Sequence, residues 1–159
     1  VQAEGFLNRF TQATARTTQF DVMRGQLEFW LPAFPVSAVA SVYSDSLREF
    51  GAETLVDSAD YYVATTGLLT MEAMPSPGRG ALKVTYTGGM AATAAAFVTA
   101  YPDIAEAVDE QVSFLWQRRK AVGLSSVSEA NGSISVVDMG AWLPDVKAIL
   151  MQHRRYAHA

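Results

Sequence analysis

Apolar side chains at Ala3, Phe6, Leu7, Phe10 and Ala13 recur at three- and four-residue steps, which predicts a short amphipathic helix over residues 3 to 16. Gly5 and the threonines weaken its propensity. From Gln26 the period changes to two. Leu27, Phe29 and Leu31 alternate with Gln26, Glu28 and Trp30, and Leu82, Val84 and Tyr86 alternate with Ala81, Lys83, Thr85 and Thr87, the pattern of half-buried strands. Shorter strand candidates at Val36 to Tyr43, Glu53 to Val56, Tyr61 to Ala64 and Leu68 to Met71 are separated by Gly51, Asp57-Ser58, Gly67 and Pro75-Ser76-Pro77-Gly78. Residues 25–90 therefore read as an antiparallel β-meander. Pro32 and Pro35 cannot donate ladder hydrogen bonds, so the join from Leu31 to Val36 is a bend or an edge.

After Gly88-Gly89 and an alanine-rich stretch, Tyr101-Pro102-Asp103 opens a long helix over 101–123, because proline suits the first helical position and Asp103 and Glu106 complement the helix dipole. Ile104, Val108, Val112, Leu115 and Trp116 are expected to share one face, with Arg118-Arg119-Lys120 as a solvated last turn and Gly123 as a left-handed cap. Asn131-Gly132, between Ser125 to Ala130 and Ser133 to Val137, predicts a β-hairpin over 124–138, since both turn positions need positive φ. Leu143-Pro144-Asp145 then opens a short helix with Val146, Ile149 and Leu150 on one face, and a basic tail completes 143–159.

These elements predict one α+β domain over 1–159: a small helical bundle, with its N-terminal helix and lead-in over 1–24, a long central helix and a short C-terminal helix, into which the meander and the hairpin are inserted. Composition agrees with a folded chain, because half of the 159 residues are apolar and 18% are charged, enough apolar surface to offset the entropy of ordering. No apolar run approaches the roughly 18 residues that span a bilayer, and the opening Val1-Gln2-Ala3-Glu4 has no cationic leader, so neither membrane insertion nor secretion is expected.

Charge is distributed unevenly. The formal net charge is −4, too acidic for nucleic-acid binding by overall electrostatics. Asp45, Glu49, Glu53, Asp57, Asp60 and Glu72 face a single base, Arg48, in the stretch they bound, whereas residues 147–159 hold Lys147, His153, Arg154, Arg155 and His158 and no acid.

Candidate chemistry is sparse. With no cysteine there is no disulfide, thiolate zinc site or cysteine nucleophile. A hydrolytic triad needs a histidine within hydrogen-bond reach of a nucleophile and oriented by a carboxylate, but the only histidines, His153 and His158, lie in the terminal tail and read as solvated or interface residues, and the tail supplies no carboxylates for a metal site. Asp57, Asp60 and Glu72 offer paired acids, but so does any acidic loop. Gly78-Arg79-Gly80 and Gly88-Gly89 lack phosphate-loop context and read as turns, and Trp30, Trp116 and Trp142 read as core or interface anchors. Neither catalysis nor a metal or other cofactor is expected.

Four stretches resemble the head-tail adaptor (head-completion, connector) proteins of long-tailed bacteriophages: Leu31-Pro32-Ala33-Phe34-Pro35-Val36 through Val39; Val84-Thr85-Tyr86-Thr87-Gly88-Gly89; Tyr101 to Val108 continuing to Gln117-Arg118-Arg119; and Gly132-Ser133-Ile134-Ser135 followed by Leu143-Pro144-Asp145-Val146 and Leu150 to Arg155. The likeness spans about residues 25–156, and the chain departs from the family in its shortened N-terminal region and large meander. The resemblance implies a structural virion protein at the neck, assembled in the host cytoplasm, with no membrane partner. It further implies a homo-oligomeric ring, commonly dodecameric, between the portal protein and a stopper or tail-completion protein, with DNA passing through without sequence-specific binding. Met151, His153, Arg154, Arg155 and Tyr156 have the composition of a portal contact, since arginine and tyrosine combine buried area with directional hydrogen bonds. Asp45, Glu49, Glu53, Asp57 and Asp60 are candidates for a channel-facing or inter-subunit acidic surface that would repel DNA phosphates. The long meander favours an alternative, a tail-completion protein or β-rich protein-binding module of a phage particle.

Overall fold

Residue patterning at 78–88 dictates the centre of the larger of two compact units in the computed structural model, which describes residues 2–119, 126–129, 132–135 and 142–155. That unit runs from Arg9 to Phe97. Its longest strand, β6 (Gly78–Gly88, 11 residues), lies between β1 (Thr14–Val22) and β3 (Val36–Ser44), both antiparallel to it, and buries Leu82, Val84 and Tyr86 as the alternation requires. A second sheet has the order β2-β5-β4, from Glu28–Trp30, Leu68–Met71 and Tyr61–Val63. Phe29, Leu31, Leu69 and Met71 from this second region join Val22, Val42, Leu82, Val84 and Tyr86 in a single apolar core.

These sheets correct the meander. A meander pairs consecutive strands, yet only β4 and β5 do so here; β6 instead reaches back across the sequence to β1 and β3. The reason is length: an 11-residue strand finds full-length partners only in the two nine-residue strands, and the three- and four-residue strands are left to pair among themselves. Of the expected strand at Glu53 to Val56, the first half belongs to a 3-10 turn, Ala52–Thr54, closed by Thr54 N–H donating to the Gly51 carbonyl at 3.0 Å, and the second half keeps only an isolated antiparallel bridge, Leu55↔Tyr43.

The first helix is also shorter than its pattern predicts. Helix α1 spans Gln2–Leu7, and Asn8 closes it with φ of 52°, a left-handed conformation that asparagine tolerates. Residues 14–22 are β1, not helix: Thr14, Thr17, Thr18 and Val22 are β-branched, and pairing with β6 from Thr14↔Gly88 to Phe20↔Leu82 overrides the weak helical period. Gly88 and Gly89 sit where the chain passes closest to its neighbours. A Cβ at Gly88 would collide with the Ala33 carbonyl, and one at Gly89, whose φ is +147°, with the Gln12 carbonyl.

The second unit comprises Val1–Asn8 and Val98–Ala159. Helix α2 (Ala94–Ala100) spans the boundary, and α3 (Pro102–Arg118) starts at the proline as its sequence dictates. Helix α4 (Pro144–Gln152) packs against both α3 and α1, and Leu7, Ile104, Ala107, Val146 and Leu150 are buried. Gln111 on α3 is buried too, and its Oε1 accepts a hydrogen bond from Leu143 N–H at 3.0 Å, fixing the start of α4. Strands β7 (Ser126–Glu129) and β8 (Gly132–Ser135) form the expected hairpin. Its closing pair is Glu129↔Gly132, one residue earlier than an Asn131-Gly132 turn requires, while Ala130, Asn131 and Gly123 lie outside the described residues.

The class is thus α+β with antiparallel sheets, but a helical bundle is not its organising feature: helices of 6, 7, 17 and 9 residues accompany a sheet-rich body. The apolar face of α3 divides by burial. At 100° per residue, Val112 and Trp116 have rotated about 80° and about 120° past Ile104, whereas Ala107 and Gln111 lie about 60° and about 20° to its other side. The buried arc follows Ile104, Ala107 and Gln111, and leaves Val112 57% and Trp116 65% exposed.

Candidate functional site

Acidic residues of the Asp45–Asp60 stretch divide into two kinds. Asp45 is 7% exposed, at the end of β3, and turns its carboxylate inward. Its Oδ1 accepts from Leu47 N–H at 2.8 Å, and its Oδ2 accepts from Glu49 N–H at 2.7 Å and Phe50 N–H at 2.9 Å. The backbone donors, Phe50 foremost, hold its carboxyl below the usual aspartate range against the opposing effect of burial. This loop places Arg48 and Phe50 at φ of 64° and 53°, and Lys83 from β6 stacks its ammonium over the rings of Phe50, at 4.2 Å, and Tyr43. Asp45 therefore organises its own loop and does not present its charge as a lining residue would.

Glu49, Glu53, Asp57 and Asp60 are exposed. Asp57 caps the turn Ser58–Asp60 by accepting from Ala59 N–H at 3.0 Å. Glu53, Asp57 and Asp60 line an open groove of about 370 Å³, whose apolar surface includes Leu55, Met71 and Met74. Leu55 is 51% and Met74 69% exposed. Acidic and apolar surface are combined in one concavity, which fits a protein segment better than a metal ion. Among the described residues no group of three histidine, aspartate or glutamate side chains converges as a metal site, and no helix is long and apolar enough to cross a membrane.

Near the carboxyl end, the residues expected to form a portal contact are partly engaged within the chain. His153 Nε2 lies 2.6 Å from Asp103 Oδ2, and its ring meets that of Tyr101 edge-on. That hydrogen bond is the largest cause holding the Asp103 carboxyl below its usual range. Arg155 N–H donates to the Leu7 carbonyl at 2.9 Å, while the Arg154 guanidinium lies 5.4 Å from the Phe6 ring, on which Trp142 also packs. Met151 is 41% exposed and Arg154 is exposed; Tyr156 lies outside the described residues. Met151 on α4 is thus exposed, while His153 and the Arg155 backbone tie the segment to α3 and α1.

Trp116, which the sequence marks as a core or interface anchor, lies on a further exposed surface. On α3, exposed Val112 and Trp116 are followed by Arg119, whose guanidinium stacks 3.9 Å over the Trp116 ring and donates from Nη1 to the Trp116 carbonyl at 3.1 Å. Four-residue steps along a helix drift by 40° each, so a run of them turns away from the buried arc.

No protein-family model matches this chain, and no curated protein matches it. Several chains of solved structures are similar in fold. One, from the neck of a native GTA particle computed with C12 symmetry, has a TM-score of 0.62 at 19% identity, over 99% of this chain and 78% of that one. Another, from the virion of a native gene transfer agent (GTA) particle, has a TM-score of 0.61 at 20% identity, over 99% and 73%. A third, from the neck of an empty GTA particle computed with C6 symmetry, has a TM-score of 0.61 at 18% identity, over 99% and 74%. At such identities the likeness is one of fold, and it takes in both compact units of this chain.

Proposed function

We propose that this chain is a non-enzymatic structural protein of the neck of a phage-like particle, an adaptor that forms a ring between the portal and the stopper or tail and lets DNA pass through. The observation that carries this reading is the fold match over 99% of the chain to chains in particle necks. C12 and C6 reconstructions of those necks support a ring of copies. The exposed face of α4 with Met151, together with Arg154 and Tyr156, is the proposed portal contact, and the exposed acids Glu49, Glu53, Asp57 and Asp60 are proposed for inter-subunit or channel-facing roles.

Electron cryo-microscopy of intact particles carrying an epitope on this chain tests the location. Density for the epitope is expected in a ring at the head-tail junction; density in the shell or along the tail tube would overturn the reading. The finer role is tested by deleting residues 151–159 and measuring binding to purified portal rings. Binding should collapse for an adaptor, whereas for a tail-completion or β-rich binding module, which the two-sheet body favours, partner binding should persist and depend on residues 44–80.

A further inference from the structure

Two exposed apolar surfaces of this chain carry opposite charge. The groove beside β5 has Leu55 and Met74 exposed, and the charged residues lining it, Glu53, Asp57 and Asp60, are all acids. The stripe on α3 has Val112 and Trp116 exposed and ends in Arg119, flanked in sequence by Arg118 and Lys120. Asp109, one turn before Val112, borders the stripe on its amino-terminal side, so the cationic end is the one at Trp116. We propose that the groove of one copy receives Trp116, Val112 and Arg119 of the next. This inference rests on the ring reading above and names its subunit contact.

Charge and size both favour the match. A concavity of about 370 Å³ holds one large side chain and its neighbours and is too small for a folded element. Tryptophan and arginine are the residue types that most often dominate interface energies, and an arginine stacked on its own tryptophan enters with little conformational freedom left to lose. Seating that pair among three carboxylates replaces water around Arg119 with charge-assisted hydrogen bonds. Because groove and stripe are different surfaces, the contact is head-to-tail and every copy uses both, as the contact between neighbours in a ring requires.

The absence of cysteine makes a direct test possible. A Met74→Cys chain and a tagged Val112→Cys chain, both altered at exposed positions, are mixed and oxidised at low salt. Mixed dimers are expected to exceed either homodimer at least tenfold. Glu53→Lys with Asp60→Lys in the Met74→Cys chain should cut the mixed product at least tenfold, and Arg119→Glu in the other chain should restore it. Mixed and homodimers in the statistical ratio, or a yield indifferent to charge reversal, would overturn the proposal. Neck location in particles is read separately, so a negative crosslink with the epitope still at the junction removes this contact and leaves the neck reading in place.

Discussion

His153 and Asp103 face each other across α4 and α3, with Nε2 2.6 Å from Oδ2, so a residue just past the end of one helix is tied to the first turn of the other. The Asp103 carboxyl is held below its ordinary value chiefly by this bond. A depressed carboxylate pKa means that the unfolded chain takes up the proton first as pH falls. The contribution to stability is therefore complete above the ordinary aspartate value and is lost as pH drops through the folded one. Because Asp103 is 45% exposed, screening limits the effect, and Asp103→Asn is expected to cost about 1 kcal/mol or less at neutral pH. Urea midpoints of the two chains should differ at pH 6 and converge in acid, as pH falls through the folded value. A gap that persists in acid would show that the bond is not its source.

Asp45 and Glu53 are eight positions apart in the same acidic stretch and should respond oppositely to neutralisation. Asp45→Ala strips the acceptor from three backbone N–H groups of its loop and is expected to cost about 1–3 kcal/mol. Glu53→Gln alters an exposed side chain and should stay within about 0.5 kcal/mol. Denaturant titration of both variants checks the contrast. Equal, negligible effects would mean that Asp45 does not organise residues 45–50.

How much of this was legible depended on whether a residue's partner lies nearby in sequence. Strand β6 and the α3 start could be read, because alternation at Leu82, Val84 and Tyr86 and proline at 102 are local signals. Strand β1 could not: its assignment comes from Thr14↔Gly88 and the pairs that follow to Phe20↔Leu82, whose members are far apart in sequence. The same holds for the groove, where residues 53–60 meet Met71 and Met74, and for Asp45, whose charge suggested exposure until its loop closed over it. Trp116 reads from the sequence as either a core or an interface anchor, and local periodicity cannot decide between the two, because it holds over two turns of helix and drifts over four.

Tyr86 offers a test of the core. Buried in β6, its hydroxyl accepts from Ala33 N–H at 3.1 Å, the residue whose carbonyl also crowds Gly88. Tyr86→Phe keeps the ring and orphans a buried donor, so a loss of about 1–3 kcal/mol is expected. Gly89→Ala should be worse, because it combines an unfavourable φ with a collision against the Gln12 backbone. Thermal unfolding should rank wild type above Tyr86→Phe and Tyr86→Phe above Gly89→Ala. The reverse order between the two variants would mean that residues 12–13 shift to admit a methyl group at little cost.

Gln111 provides the last test, since a buried polar side chain on a helix face otherwise lined by Ile104 and Ala107 needs a reason to be there. Its Oε1 accepts from Leu143 N–H, one of the amides that a helix beginning at Pro144 leaves without an intrahelical partner. Gln111→Leu preserves apolar burial but removes the acceptor, so total stability should fall by about 1–3 kcal/mol. Amide exchange discriminates the pinning role from simple packing. If Gln111 fixes the start of α4, exchange in the variant should accelerate first at Leu143 and along the opening turn of α4, ahead of α3. Uniform acceleration across both helices would instead mark Gln111 as an ordinary core residue.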